Sequence, residues 1–501
     1  MTAVAERREG SRPGRPHGLL PARVAVVAAA VGAVVVTRGD LLLVMAAGAV
    51  LVGVLVIARP ETAALAAVGL IFANATVVAV REHGAPGAVD LLVPVLLLVA
   101  VGYQLFGRHL PALLPRPALW MVAFLVVQIV GSLASRDPEL SVASVQTYLV
   151  EGIVLFALIT NAIRGWHLVR LAAIVLVAVA GILGALSLVQ ELAGLKGQDF
   201  GGFASMSNAV INRADGGGSP RHAGPIGEQN RWAQSLAAVL PIAIALGVAD
   251  RSRGARLLAR ISGAGIAAGI IFTYSRGAAV GLVLTLLVAI SLRWIRASTA
   301  LIAAVVAVLV LVSIAPTFTD RASTVLSVAS SVGARTNSDA PKDGSFANRS
   351  TELLAATSVF LLHPIFGVGP GLFPTYFQDE ARAQGADRIV GVDREAHSLY
   401  LGLAAETGVL GLAAFAGFTA SLLASLARVR RRFLGTDRDV AALATGFALS
   451  VVTYLTTGLF LHSGYIRYYW LIAALAAAMG MVTTADRVAR TGAARIVKET
   501  P

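Results

Sequence analysis

The chain of 501 residues contains no cysteine, so disulfides and thiol chemistry are excluded and an oxidising compartment poses it no hazard. Charge is scarce as well. Asp, Glu, Lys and Arg make up 14% of the residues against 56% hydrophobic, which is outside the balance of a soluble domain. Lysine occurs only at Lys196, Lys342 and Lys498, so the basic charge is almost entirely arginine. Short segments of alternating polarity, the mark of a membrane barrel, are missing; apolar runs of roughly 17 to 25 residues recur instead, the length that crosses a bilayer as a helix. A helix satisfies its own backbone hydrogen bonds in lipid, and the composition therefore predicts an all-α integral membrane protein.

Breaks between the runs place about fourteen spans. They lie near 20–37, 41–58, 62–80, 89–106, 118–134, 145–163 and 168–193, then 231–249, 257–274, 277–292 and 298–315, and finally 397–426, 439–460 and 465–484. The formal net charge of +13 is read as topology rather than as nucleic-acid binding, because arginine collects in cytoplasmic loops of membrane proteins. Arg7, Arg8, Arg12 and Arg15 precede the first run with no small-residue cleavage site after it, so residues 1–19 are expected to remain as a cytoplasmic tail. That orientation puts Arg251, Arg253, Arg256, Arg260 and the group at Arg428, Arg430, Arg431 and Arg432 inside. The short outer turns then carry single arginines, at Arg38, Arg81, Arg136, Arg276 and Arg467.

The expected organisation is an N-terminal bundle over 20–193, an outer loop over 194–230, central spans over 231–315, a large outer loop over 316–396, C-terminal spans over 397–484 and a cytoplasmic tail over 485–501. The large loop has a helical stretch of its own from about Asn348 to Leu362. Long loops with structure of their own tend to carry function. No internal repeat is visible, which disfavours a transporter built from inverted halves.

In the large loop, Phe366-Gly-Val-Gly-Pro-Gly371 superficially resembles a phosphate cradle, but no strand precedes it and Pro370 breaks any helix after it; it reads as a tight turn between two outer helices. His397 stands at the outer mouth of a span, with Gly408 and Gly411 a few turns in, where small residues let a neighbouring helix approach. A helix start disfavours imidazolium, whereas Asp393 and Glu395 favour it, so His397 reads equally as a base and as a capping or interfacial residue. Arg276 lies at an outer boundary where it either snorkels to headgroups or joins Arg221, Arg231 and Arg349 around an anionic ligand. No carboxylate cluster suggests a metal site.

His397-Ser398, nine residues and Gly408-Val-Leu-Gly411 resemble in type and spacing the histidine signature of the O-antigen ligase and O-antigen polymerase family. Thr273-Tyr-Ser-Arg-Gly277 is similar to the family's Ser-Arg-Gly element. Asn348-Arg349, leading to His363-Pro-Ile-Phe-Gly-Val-Gly-Pro-Gly371, and Arg221-His-Ala-Gly-Pro-Ile-Gly-Glu-Gln-Asn230 also follow its order. The resemblance implies a GT-C-like membrane enzyme of about twelve spans in the bacterial inner membrane. It implies transfer of glycan from a polyprenyl diphosphate-linked donor to a hydroxyl on a glycan, lipid or protein acceptor, with no cofactor and no nucleic-acid partner. It further implies that His397 and Arg276 are catalytic and that Arg221, Arg349, Asn230, Tyr274 and Glu406 contact substrate. Glu406 also reads as a plain helix-pairing residue. A flippase for lipid-linked oligosaccharide is the alternative, disfavoured because the charges sit in outer loops rather than inside the spans.

Overall fold

The structure, a computed structural model, describes residues 59–212, 218–295, 344–383, 394–461 and 467–483. The expected spans at 20–37, 41–58 and 298–315 and both expected tails lie outside these residues. Every other expected span coincides with a helical segment, and the architecture is all-α apart from one small hairpin.

The first span is a bent pair, α1 (Glu61–Phe72) and α2 (Ala75–His83), turning through 52° at Asn74, whose backbone is left-handed (φ 55°). Then come α3 (Leu92–Gly102), α4 (Pro117–Leu133), α5 (Pro138–Thr147) running on through a π-turn into α6 (Leu155–Ala162), and α7 (Gly165–Leu192). Strands β1 (Ser205–Asn212) and β2 (Gly218–Gly224) pair antiparallel inside what the sequence marks only as a Gly- and Ser-rich loop. Helices α8 (Gln229–Ala249), α9 (Arg253–Phe272) and α10 (Arg276–Ser291) follow. After the undescribed stretch come α11 (Gly344–Leu362), α12 (Phe373–Ala383), α13 (Leu399–Phe433), α14 (Arg438–Thr457) and α15 (Arg467–Gly480). Among the described residues seven single helices are long and apolar enough to cross a membrane, and the bent pair makes an eighth.

Small residues set the closest contacts. A Cβ on Gly181 would stand 2.4 Å from the Ser262 Cβ, and one on Gly184 would stand 2.4 Å from the Gly265 carbonyl oxygen, so α7 and α9 meet nearly backbone to backbone. The same device joins α10 to α14 at Gly281 and Thr457. Helix α15 is buried on every side from Tyr468 to Met479, which explains how a segment of only 14 residues with no polar face is stable at the centre of the bundle. Tyr469 and Trp470 stack there with Tyr454, Phe415, Phe418 and Tyr148.

Charged side chains gather at the two ends. At one end Arg170 holds Asp250 with two hydrogen bonds, at 2.6 and 2.7 Å, and Arg251 reaches Asp437. The opposite end carries the hairpin, the α9–α10 turn, α11, α12 and the start of α13. Serine hydroxyls cap the helix starts: Ser252 accepts from the Ala255 N–H, Ser275 from Ala278 and Ser398 from Leu401.

Within α13 the expectation of an unbroken span needs correcting. Gly408 has φ 63° and ψ −165°, which interrupts the helix nine residues in. What comes close at this glycine is not a neighbouring helix, as its small size suggests, but the turn between α11 and α12. The Val368 and Gly369 N–H groups donate to the carbonyls of Ala405 and Glu406, at 2.9 and 3.0 Å, and the Val409 N–H donates to the Pro364 carbonyl at 2.8 Å. The break would strand backbone groups in an apolar surrounding; the turn satisfies them. Residues 409–433 are then about 25 long, enough to cross a bilayer alone.

Candidate active site

Three sequence-distant segments meet at the hairpin end. Helix α8 starts at Gln229 because the Glu228 carboxylate accepts from the N–H groups of Asn230 and Arg231, at 2.9 and 2.7 Å. This start sets Asn230 and Arg231 on one wall of a cleft of about 140 Å3, lined also by Glu228, Glu395, His397 and Leu461. The Arg231 guanidinium pairs with Glu395 across the cleft, so its charge is already balanced there.

Asn230 links the cleft to the turn that carries Arg276. Its Oδ1 accepts from Arg221 Nη2 at 3.2 Å and from the Ser275 hydroxyl at 3.1 Å, while Arg221 Nε donates to the Thr273 carbonyl at 2.7 Å. The strand register places Arg221 on β2 opposite Ser207, and the hairpin thus reaches over the end of α9. Tyr274, buried and with φ 51°, makes the sharp reversal from α9 into α10. Arg276 is the first residue of α10, immediately after the Ser275 cap, and is half-buried. A Cβ on its neighbour Gly277 would touch Phe460 at 2.9 Å and Leu461 at 3.5 Å, which seats the start of α10 against the cleft wall.

His397 is not in the first turn of α13 but one residue before its Ser398 cap, in left-handed backbone at φ 46°. The side chain is 34% exposed and lines the cleft. Its Nδ1 stands 2.8 Å from Glu352 Oε2 on α11 and 3.1 Å from the Glu395 carbonyl oxygen. Arg394 Nη1 donates to the other Glu352 oxygen at 2.9 Å. Burial raises the affinity of the Glu352 carboxyl for its proton, but the hydrogen bonds and charges of His397 and Arg394 outweigh it and hold the group below the usual carboxylate range.

Glu352 is the residue that sequence reading misses. It sits in a stretch read only as a helix in a long loop, and its partner lies on another element. The available signal is a carboxylate among apolar neighbours, at the position after Asn348-Arg349 where α11 turns inward; the structure gives Glu352 no exposure. The carboxylates expected to act on His397 were those of its own segment. Glu395 instead faces Arg231 with its side chain, and Asp393 lies outside the described residues.

The other expected residues are distributed as follows. Glu406 is buried inside α13 and turned toward α12, where its Oε1 accepts from the Phe373 N–H at 3.4 Å; it does not line the cleft. Arg349 belongs to α11, three residues before Glu352, and its side chain is outside the described residues. His222, next to Arg221, is buried between Gln190 and Glu191 at 2.9 Å from each, and burial lowers its basicity. It anchors the hairpin to the end of α7. Among the described residues no three metal-ligating side chains come together.

The family model described as O-antigen ligase matches residues 261–416. No curated protein matches the chain. The matched stretch runs from α9 to the first half of α13 and includes Thr273–Gly277, Asn348–Gly371 and His397–Gly411; the Arg221–Asn230 segment precedes it. Over these residues the chain is similar to the O-antigen ligase family; the matched stretch supplies Arg276, Glu352, Glu395 and His397, whereas Arg221, Glu228, Asn230, Arg231 and Leu461 lie outside it.

Proposed function

We propose, from the O-antigen ligase domain and the cleft at its His397, that the chain transfers glycan from a polyprenyl diphosphate-linked donor to an acceptor hydroxyl at the outer face of the bacterial inner membrane. The observation that carries this reading is the placement of His397 in the same cleft as Asn230, whose side chain leads through Ser275 to the start of α10 at Arg276. His397 is the candidate base of this cleft, and Arg276 is tied to it through Ser275 and Asn230, the pairing of base and cation that a displacement at a glycosyl carbon uses.

In the reaction the acceptor oxygen forms a bond to the anomeric carbon as the bond from that carbon to the diphosphate oxygen breaks. The acceptor proton passes to His397, and the electron pair leaves on polyprenyl diphosphate. Arg276, at the positive end of α10, stabilises the charge that grows on the leaving diphosphate. Arg221 and Arg349 are assigned to the diphosphate as further cations, and Arg221 also fixes the Thr273 carbonyl and so the turn that presents Arg276. Asn230 lines the cleft, and Tyr274 makes the reversal that sets Arg276 at the start of α10. Glu406 supports the site from behind: its side chain accepts from the Phe373 N–H at the start of α12, and its backbone carbonyl accepts from the Gly369 N–H. The acceptor is a glycan, lipid or protein hydroxyl; surface polysaccharide polymerisation is the preferred case and ligation to a lipid or protein the other.

The test is transfer by purified protein in lipid, with a polyprenyl diphosphate-linked oligosaccharide and with or without an acceptor. Wild type should produce longer lipid-linked chains or a glycosylated acceptor, and His397→Ala should produce neither. Intact donor carried across the bilayer equally by both proteins would replace the enzyme reading with a flippase.

A further inference from the structure

The histidine of the cleft is held from outside its own segment. Glu352 is fully buried on α11, yet both of its carboxylate oxygens face basic groups of the segment entering α13: Oε1 takes the Arg394 guanidinium at 2.9 Å, and Oε2 stands 2.8 Å from His397 Nδ1. The Glu395 carbonyl oxygen, 3.1 Å from the same ring nitrogen, is a second acceptor. The Glu395 carbonyl can only accept, so Nδ1 carries the proton of that hydrogen bond, with the Glu352 carboxylate beside it at ion-pair distance. In its neutral form the ring then carries its proton on Nδ1, which leaves Nε2 as the nitrogen able to take a second one.

Burying a carboxylate is costly, and the site offsets the cost with a cation and an imidazole rather than replacing the side chain with an apolar one. Local chain geometry does not require the arrangement. Ser398 caps α13 without help from Glu352, and α11 is packed through Ala355, Ala356 and Val359 against Phe373, Phe377 and Ala396. The left-handed backbone of His397 turns the ring toward α11 at some conformational cost. A geometry maintained against two costs, at a residue that lines the cleft, points to function.

Resting on the transferase reading above, we propose that Glu352 is the positioning residue of His397: it fixes the Nδ1–H tautomer and orientation of the ring, and stabilises the imidazolium formed when Nε2 removes the acceptor proton. Arg394 holds the far oxygen of Glu352 and so aims the near one. The acceptor proton ends on Nε2, the proton on Nδ1 stays there, and Glu352 remains ionised throughout. Among the described residues the other charged groups lining the cleft with the ring are Arg231, Glu395 and Glu228; Arg231 and Glu395 balance each other, and Glu228 is engaged by the start of α8.

The test compares Glu352→Gln, Glu352→Asp, His397→Ala and the double variant Glu352→Gln with His397→Ala in the transfer assay, at saturating and limiting donor. Glu352→Gln is expected to lower kcat roughly a hundredfold, within the range contributed by general acid–base catalysis, with little change in donor KM. Glu352→Asp, which keeps the charge at shorter reach, should fall between Glu352→Gln and wild type. Where His397→Ala retains residual transfer, adding Glu352→Gln should lower it no further, because Glu352 acts through the ring. Wild-type kcat in Glu352→Gln with an inactive His397→Ala would overturn the positioning role alone. So would an additive loss in the double variant, or Glu352→Asp no better than Glu352→Gln. Should Glu352→Gln fail to reach the membrane, Glu352→Asp serves by itself: a lower kcat at unchanged KM supports the role, and an unchanged kcat overturns it. A fully active His397→Ala is a different result, and would remove the transferase assignment of His397 on which the role rests.

Discussion

Gly367 and Glu406 approach so closely that a Cβ on Gly367 would lie 2.2 Å from the Glu406 carbonyl carbon. The contact is reciprocal, since a Cβ on Gly408 would lie 2.2 Å from the Ile365 carbonyl oxygen. Both glycines have positive φ, 70° and 63°, so two backbones interlock at a point where neither accepts a side chain. The interlock joins α11 to α13, and thus the helix of Glu352 to the helix preceded by His397.

Gly367→Ala and Gly408→Ala are each expected to destabilise the protein by about 2–4 kcal/mol, from left-handed strain together with overpacking. Thermal unfolding in detergent measures this. Gly435→Ala, with open space around its Cβ, should leave the midpoint unchanged and serves as the control.

Arg276→Ala is expected to abolish transfer while membrane abundance stays at the wild-type level. Arg276→Lys should rescue poorly, because a point charge does not reproduce the planar, two-pronged contact of guanidinium with phosphate oxygens. Transfer rates normalised to membrane content decide it; wild-type rates in Arg276→Ala would place the arginine outside the site.

Glu352 makes acid stability readable. Its folded-state pKa is lowered, so the stability it contributes is fully present above the unfolded carboxylate value of about 4.3 and is lost as pH falls through the folded value. Wild type should therefore lose stability on acidification below about pH 4.3 more steeply than Glu352→Gln, which has no proton to take up. Parallel thermal midpoints of the two proteins across that range would contradict this.

The absence of cysteine makes topology directly measurable, because one introduced thiol is the only one present. Gly197 and Gly435 have no atoms near a new Cβ and lie at opposite ends of the bundle, beside the hairpin and beside the Asp437 pairs respectively. An impermeant thiol reagent added to intact cells should label Gly197→Cys and spare Gly435→Cys until the membrane is opened. The reverse pattern would invert the proposed orientation.

Sequence by itself determined the apolar helices, since a run of apolar residues as long as the bilayer is thick has few alternatives to a helix; each such run among the described residues is helical, and eight of the eleven, counting the bent pair, are long enough to span. It also marked Arg276 and His397 as candidate groups at span ends, because polar side chains beside apolar runs stand out locally, and Asn230 through the family resemblance. Tertiary structure alone decided their partners. A buried carboxylate such as Glu352 carries no local sign of which charge will offset it. Nothing in Gly408-Val-Leu-Gly411 distinguishes a glycine that admits a helix from one that breaks its own helix to admit a turn. Those outcomes depend on contacts between α11 and α13, and a contact energy belongs to two segments at once; neither segment, read singly, contains it.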